Sequence, residues 1–107
     1  MYQKYRNQKT MLDGILFDSK HEAEHWAWLK ILERTGQITD LKRQVHFELQ
    51  EGFKFKGRSY RPITYIADFV YYQNGQMVVE DAKGMRTEVY KIKKKLMLYK
   101  GIEIREV

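Results

Sequence analysis

A single run over residues 64–84, TYIADFVYY then QNGQ then MVVEDAKG, constrains this chain more than any other feature. Asn74-Gly75 stands between two stretches rich in β-branched and aromatic residues, and this dipeptide tolerates the positive φ that a two-residue type I′ turn demands. The register then follows by counting outwards. Gln73 opposes Gln76, Tyr72 Met77, Tyr71 Val78, Val70 Val79, Phe69 Glu80, and Asp68 Asp81. Residues directly opposite bring their Cβ atoms to about 4.5–5.5 Å. Lys83 lies two residues beyond Asp81 and so shares the face of both aspartates, whereas Glu80 points the other way with Phe69 and Tyr71.

Two carboxylates at that separation repel, and strands normally avoid the pairing. A divalent cation resolves the repulsion. Hard oxygen ligands suit Mg²⁺ or Mn²⁺, and Mg²⁺ sites usually combine one or two carboxylates with water and substrate phosphate. Lys83 would then stand where it orients a water or stabilises charge developing on a phosphate. The plainer reading is a set of charges at the wet end of a hairpin, with Lys83 paired to Asp81 on the surface.

Around this hairpin the chain alternates between strand and helix signals. Residues 9–17, KTMLDGILF, read as a small hairpin about Asp13-Gly14. Ser19 is a candidate N-cap, Glu22 and Glu24 follow near the helix start, and Ala23, Trp26, Ala27, Leu29 and Leu32 lead to Gly36 as a stop, so residues 20–35 read as helix. Ile38 to Leu49 is most simply extended, and Gly52 to Tyr60 forms a bend or hairpin with Gly57 at its tip. Pro62 falls just ahead of the strongest strand. Residues 86–99 return to helical spacing, with Val89, Ile92, Leu96 and Tyr99 on one stripe and Lys91, Lys94 and Lys95 largely off it. Ile102, Ile104 and Val107 suggest a closing strand. The order predicts an α/β or α+β domain.

A length of 107 residues with 43% hydrophobic content predicts one domain over 1–107, with residues 1–10 a basic arm. Neither an apolar stretch of about 18 residues nor an apolar leader in MYQKYRNQKT appears, so a cytosolic protein is expected. With no cysteine, a metal would be held by oxygen or imidazole ligands. The net charge is +6. Lys4, Arg6 and Lys9 stand without an acid in the first dozen residues, and Arg86, Lys91, Lys93, Lys94, Lys95 and Lys100 face Glu88 alone. Basic ends of this kind suit a polyphosphate partner through counterion release, and otherwise serve as solvated surface.

The combination of Asp68, then Asp81-Ala82-Lys83 on the partner strand, then a basic helix, resembles the PD-(D/E)XK nuclease superfamily. Members have a helix, a three-stranded meander, a second helix and a further strand, and the resemblance covers most of this chain. The runs FDSKHEAEHW, YIADF, VVEDAKGMRTEVYKIKKKL and IEIREV look like a small protein family of phages and prophages placed in that superfamily. Proline is absent before Asp68, where Ala67 stands. The resemblance implies a restriction-endonuclease-like core: a mixed sheet with a central hairpin meander, flanked by two helices. It implies a Mg²⁺- or Mn²⁺-dependent endonuclease with Asp68 and Asp81 as the two acids and Lys83 as the lysine. Glu22 would be a further metal ligand from the first helix, and the Ala82 carbonyl another. Glu24 is the rival to Glu22, but two residues on a helix stand about 200° apart, so only one can face the site. Arg86, Lys91, Lys94 and Lys95 would contact the DNA backbone, and Lys4, Arg6 and Lys9 would add to it from the arm. A basic domain of this size has little room to read bases, so structure-selective cutting of branched or Holliday-junction DNA in phage recombination or replication is expected, in the cytoplasm of a bacterial host. By the same resemblance a homodimer would fit paired cuts.

Two rivals arise from the same residues. His21-Glu22-Ala23-Glu24-His25 satisfies H-E-x-x-H, the helix of small zinc metallopeptidases, in which histidines at i and i+4 share one face. The second rival is a catalytically inactive nucleic-acid-binding module of the same fold. Trp26 and Trp28 suggest base-stacking platforms, though at this spacing aromatic residues more often belong to the core.

Overall fold

The computed structural model describes residues 8–83 and 86–107. Three type I′ turns organise the strands. Asp13-Gly14, Lys56-Gly57 and Asn74-Gly75 all have positive φ at both positions, and each joins two strands through a two-residue loop. The first closes a hairpin of β1 (Thr10–Leu12) and β2 (Ile15–Phe17). The helix α1 (Lys20–Arg34) follows. The Ser19 side chain accepts a hydrogen bond from the Glu22 amide, as a capping serine should, and Gly36 at φ 83° lets the chain turn away.

The main sheet has the order β3 (Thr39–Gln50), β6 (Ile63–Gln73), β7 (Gln76–Asp81), β8 (Ile104–Glu106). Strands β3, β6 and β7 form an antiparallel meander, and β8 returns parallel to β7 after the helix α2 (Glu88–Tyr99). Between β3 and β6 the chain makes a separate hairpin, β4 (Phe53–Phe55) with β5 (Arg58–Tyr60). The fold is therefore α+β, with a mixed four-stranded sheet and a helix on each face. No helix among the described residues is long and apolar enough to cross a membrane.

One core lies under α1, where Trp26 and Leu29 meet Phe17, Ile38, Phe69 and Tyr71; the other joins Met97 of α2 to Tyr65, Ala67, Val70, Val79 and Ile104. Strict alternation would put all odd residues of one strand on one face. Here Phe69 and Tyr71 belong to the α1 core, but Tyr65 and Ala67 belong to the α2 core. The same exchange occurs on β3, between Leu41 on one side and Val45, Phe47 and Leu49 on the other. The crossing point is Gln44 opposite Asp68. Gln44 has φ 54°, and no pairing is made between the pairs Arg43–Phe69 and Val45–Ala67. Asp68 thus sits at the seam where β6 passes from one layer to the other.

Two expectations are corrected. Trp26 is buried and stacks on Phe69 at 5.9 Å between centroids, but Trp28 is exposed. On α2 the stripe of Val89, Ile92, Leu96 and Tyr99 does not face the sheet: Val89 is 61% and Tyr99 90% exposed. The inward row is instead Tyr90, Lys94 and Met97, at i, i+4 and i+7. Glu106 sets this rotation, because it accepts from the Tyr90 hydroxyl at 2.8 Å and the Lys94 ammonium at 3.0 Å. The stem of a lysine packs inward while its charge finds a partner, which hydrophobic periodicity does not register.

The Tyr90 hydrogen bond, followed by that of Lys94, holds the Glu106 carboxyl below its ordinary 4.5. A lowered carboxyl pKa contributes stability that is present in full above pH 4.5 and lost as pH falls through the folded value. Thermal melts of wild type and Glu106→Gln are expected to differ near neutral pH and to converge as pH falls through the folded value of Glu106. A difference independent of pH would show that the charge is not what anchors α2.

Candidate functional site

Asp68 and Asp81 lie at the open end of the β6–β7 hairpin. The register counted from Asn74-Gly75 holds through Phe69–Glu80. One step further the strands part, and Asp68 turns its carboxylate to accept the Ala82 amide at 2.7 Å. Its other oxygen accepts from the Gln44 side chain at 3.3 Å. Asp81 accepts from the Tyr65 hydroxyl at 2.8 Å and from the Lys83 amide at 3.0 Å. Each carboxylate is thus fixed by one donor per oxygen, and each oxygen keeps a lone pair. Both aspartates are buried, as is Ala82.

Helix α1 supplies the third acid. Glu22 is 1% exposed and feels the charges of Asp68 and Asp18, whereas Glu24 is exposed and pairs with Lys20, so the helix turns only the former inward. Glu22 Oε1 is buried and has no hydrogen-bond partner among the described residues. A buried unsatisfied carboxylate oxygen is costly. Burial pushes the Glu22 carboxyl up, and the charges of Asp68 and Asp18 push it further. Asp68 is likewise raised, by burial first and by the Asp81 charge, against the Ala82 amide, Lys83 and Gln44. Burial, ahead of like charge, is what disfavours ionisation of these two carboxyls.

Lys83 does not pair with Asp81. Its ammonium meets Asp18 at 3.2 Å, just ahead of α1. Burial alone would pull the ammonium down, but the Asp18 hydrogen bond and the charges of Asp68, Asp18 and Glu22 raise it above the usual lysine range. Lys83 therefore stays protonated. Arg43, stacked over Phe17 at 4.6 Å, is a second cation acting on Glu22, and its buried Nε has no partner among the described residues. Asp18, Arg43, Gln44 and Tyr65 were not singled out in the sequence. Only Tyr65 carried a signal, three residues before Asp68 in the strongest strand.

Glu80 is buried on the opposite side. It accepts from Tyr71 at 2.5 Å and from His25 at 2.7 Å, with Arg105 at 3.7 Å. His21 donates to the Val107 carbonyl at 3.1 Å, so the two histidine Nε2 atoms of the H-E-x-x-H run are directed at different oxygens. Among the described residues no group of three or more histidine or acidic side chains is placed to hold a metal ion. Of the expected backbone-contacting cations, Lys4 and Arg6 lie outside the described residues. Lys9 and Lys95 are exposed, and Lys91 pairs with Glu88 at 3.1 Å. Arg86 and Lys94 converge on Glu106 at 2.6 and 3.0 Å.

The chain is thus an α+β domain with a buried acidic site at the seam of its sheet. It belongs to the family described as a protein of unknown function (DUF1064), whose model matches residues 2–107. No curated protein and no solved structure matches it.

Proposed function

We propose that this protein is a metal-dependent DNA endonuclease of the PD-(D/E)XK kind, selective for branched DNA such as Holliday junctions. The observation that carries the reading is the unpartnered, buried Glu22 Oε1, on which the charges of Asp68, Asp18 and a protonated Lys83 act. A cation is the partner such an oxygen lacks. The donor set suits Mg²⁺ or Mn²⁺, because all candidate ligands are hard oxygens and one or two carboxylates suffice when water and phosphate complete the shell. Asp68 would be the first ligand, with Asp81, Glu22 and the Ala82 carbonyl as the further candidates, and water and phosphate would complete the shell. A bound ion would supply Lewis acidity and charge neutralisation to a phosphodiester.

The chain's own groups do the rest. Gln44 and the Ala82 amide fix the Asp68 carboxylate, and Tyr65 fixes Asp81, so neither has to reorganise when substrate arrives. Lys83 holds its proton and is half exposed, where it can meet a phosphate oxygen or orient a water while tethered to Asp18. Lys9 and Lys95 add exposed positive charge for the backbone, and Lys91 joins them only by releasing Glu88. Phage recombination or replication in a bacterial cytoplasm, with a homodimer making paired cuts, is the setting this reading implies.

Purified protein with Mg²⁺ or Mn²⁺ is expected to cut four-way junctions or flaps in preference to linear duplex, with activity lost on chelation. Asp81→Ala is expected to fold and bind DNA without cutting it. Undiminished cleavage by Asp81→Ala would show that the site is elsewhere. Binding without cleavage by the wild type under every metal condition would identify a nucleic-acid-binding module, and zinc-dependent peptide hydrolysis a metallopeptidase.

A further inference from the structure

The hairpin of β4 and β5 has no role in the site or in either core. Every residue from Glu51 to Ile63 is exposed. An isolated two-stranded hairpin is marginal in water, yet this one carries three large aromatic side chains in the open. Phe53 is 48% and Phe55 58% exposed, and Tyr60 is similar. The register pairs Phe53 with Tyr60 and Phe55 with Arg58, so alternation puts all four on one face. Phe53 and Tyr60 stack at 4.9 Å with planes 8° apart. The Lys56 ammonium lies 5.4 Å from the Phe55 ring, and the Arg58 guanidinium 5.8 Å from that of Tyr60. Aromatic faces are thus rimmed by cations.

Charge indicates what this face meets. Residues 51–62 contain Lys54, Lys56, Arg58 and Arg61 against Glu51 alone. Among the described residues none of these four cations has a carboxylate within 4.0 Å, whereas Arg86, Lys91 and Lys94 do. The basic helix spends much of its charge internally. The hairpin does not. Its attachment is also specific: a Cβ on Gly52 would lie 3.1 Å from the Tyr60 carbonyl oxygen and 3.2 Å from the Pro62 ring, so the missing side chain lets the two legs close at the base. From Asp68 to Ile63 along β6 is five residues, about 16 Å at about 3.3 Å each.

We infer that this hairpin is a docking arm for single-stranded nucleic acid, with Phe53, Phe55 and Tyr60 stacking on unpaired bases and Lys54, Lys56 and Arg58 meeting the phosphates between them. Exposed rings interleaved with cations bind single strands because every base has a π-face, and in a duplex those faces are already covered. The inference rests on the nuclease reading only for its purpose: an arm about 16 Å from Asp68 would hold the unpaired strand at a branch while the seam addresses the backbone nearby.

The test measures binding in EDTA, so that it is independent of cleavage. The full chain is titrated against a fluorescent 20-nucleotide oligo(dT) and against a duplex of equal length. Phe55→Ala is expected to weaken oligo(dT) binding about tenfold while duplex binding changes less than about twofold, and Phe55→Trp is expected to restore it. The double variant Lys56→Ala/Arg58→Ala is expected to flatten the single-strand salt slope by about 1.4. Since these side chains contact no core, unchanged melting temperatures verify folding. Unchanged oligo(dT) affinity in Phe55→Ala, an equal loss on duplex, or no oligo(dT) binding by the wild type at low salt would overturn the assignment. Self-association of the wild type abolished by Phe55→Ala, with DNA binding intact, would overturn it in favour of a second copy of this chain. Absence of cleavage by the wild type under every metal condition would refute the nuclease reading and leave the arm standing.

Discussion

Asp68→Asn is expected to lose cleavage by about 10²–10³-fold or more while melting at a higher temperature than the wild type in the absence of divalent ions. The two effects share one cause. Asp68 is buried at 2% exposure, and burial together with the Asp81 charge raises its carboxyl pKa. A carboxyl raised in the folded state destabilises the fold once ionised, so near neutral pH its charge works against folding, and this cost is relieved as pH falls through the folded value. Asparagine removes the charge and keeps the shape. Its oxygen still accepts the Ala82 amide, and a flip of the Gln44 amide satisfies its nitrogen. Each kcal/mol recovered would raise the melting temperature by about 4–8 °C in a domain near this size. Mn²⁺ at millimolar concentration is expected to stabilise the wild type, because a ligand that binds only the native state shifts the equilibrium toward it, and to leave Asp68→Asn nearly unmoved. Equal stabilisation of both proteins by Mn²⁺, or retained cleavage by the variant, would remove Asp68 from the proposed site.

What placed Asp68 there was only partly written in local sequence. Asn74-Gly75 demands one turn type, one turn type gives one register, and that register brings Asp68 and Asp81 to the same end of the hairpin. Ser19 and Gly36 bound α1 for equally local reasons, and the helix period then separates Glu22 from Glu24. The exchange of faces at Gln44 and Asp68 was not legible, because a positive φ at a glutamine leaves no compositional mark. That exchange is why Asp81 meets Tyr65, a residue simple alternation would assign to the side of Phe69. Long-range pairs were equally hidden. Lys83 reaches back to Asp18 and not to the adjacent Asp81, and Arg86 and Lys94 close on Glu106, since in each case the partner is chosen by how α1 or α2 docks. The exposed arm was legible as a hairpin with Gly57 at its tip, but its aromatic face emerges only once the register pairs Phe53 with Tyr60.

The neighbour of Asp81 is expected to behave in the opposite way. Glu80→Ala should lower stability by about 3–5 kcal/mol and leave the cleavage rate per folded molecule close to that of the wild type. Side chains 80 and 81 leave β7 on opposite faces, so Glu80 enters the α1 layer, where it joins Tyr71 and His25 with only 3% of its side chain exposed. Removing one partner from such a group leaves the Tyr71 hydroxyl buried, and the His25 ring nitrogen partly buried, without an acceptor, and that penalty exceeds the value of the pair itself. Burial also holds the Tyr71 hydroxyl far above its ordinary pKa, as does its hydrogen bond to Glu80, so it remains a donor in need of an acceptor at any working pH. Glu80→Gln keeps an oxygen for Tyr71 and should cost much less. Urea unfolding followed by circular dichroism measures the loss, and junction cleavage at a temperature where the variant is still folded measures the activity. A Glu80→Ala variant of nearly wild-type stability would show that the cluster is not what joins α1 to β7. A stable but inactive variant would mean that the proposed site extends along α1 to His25, which would reopen the role of the histidine pair.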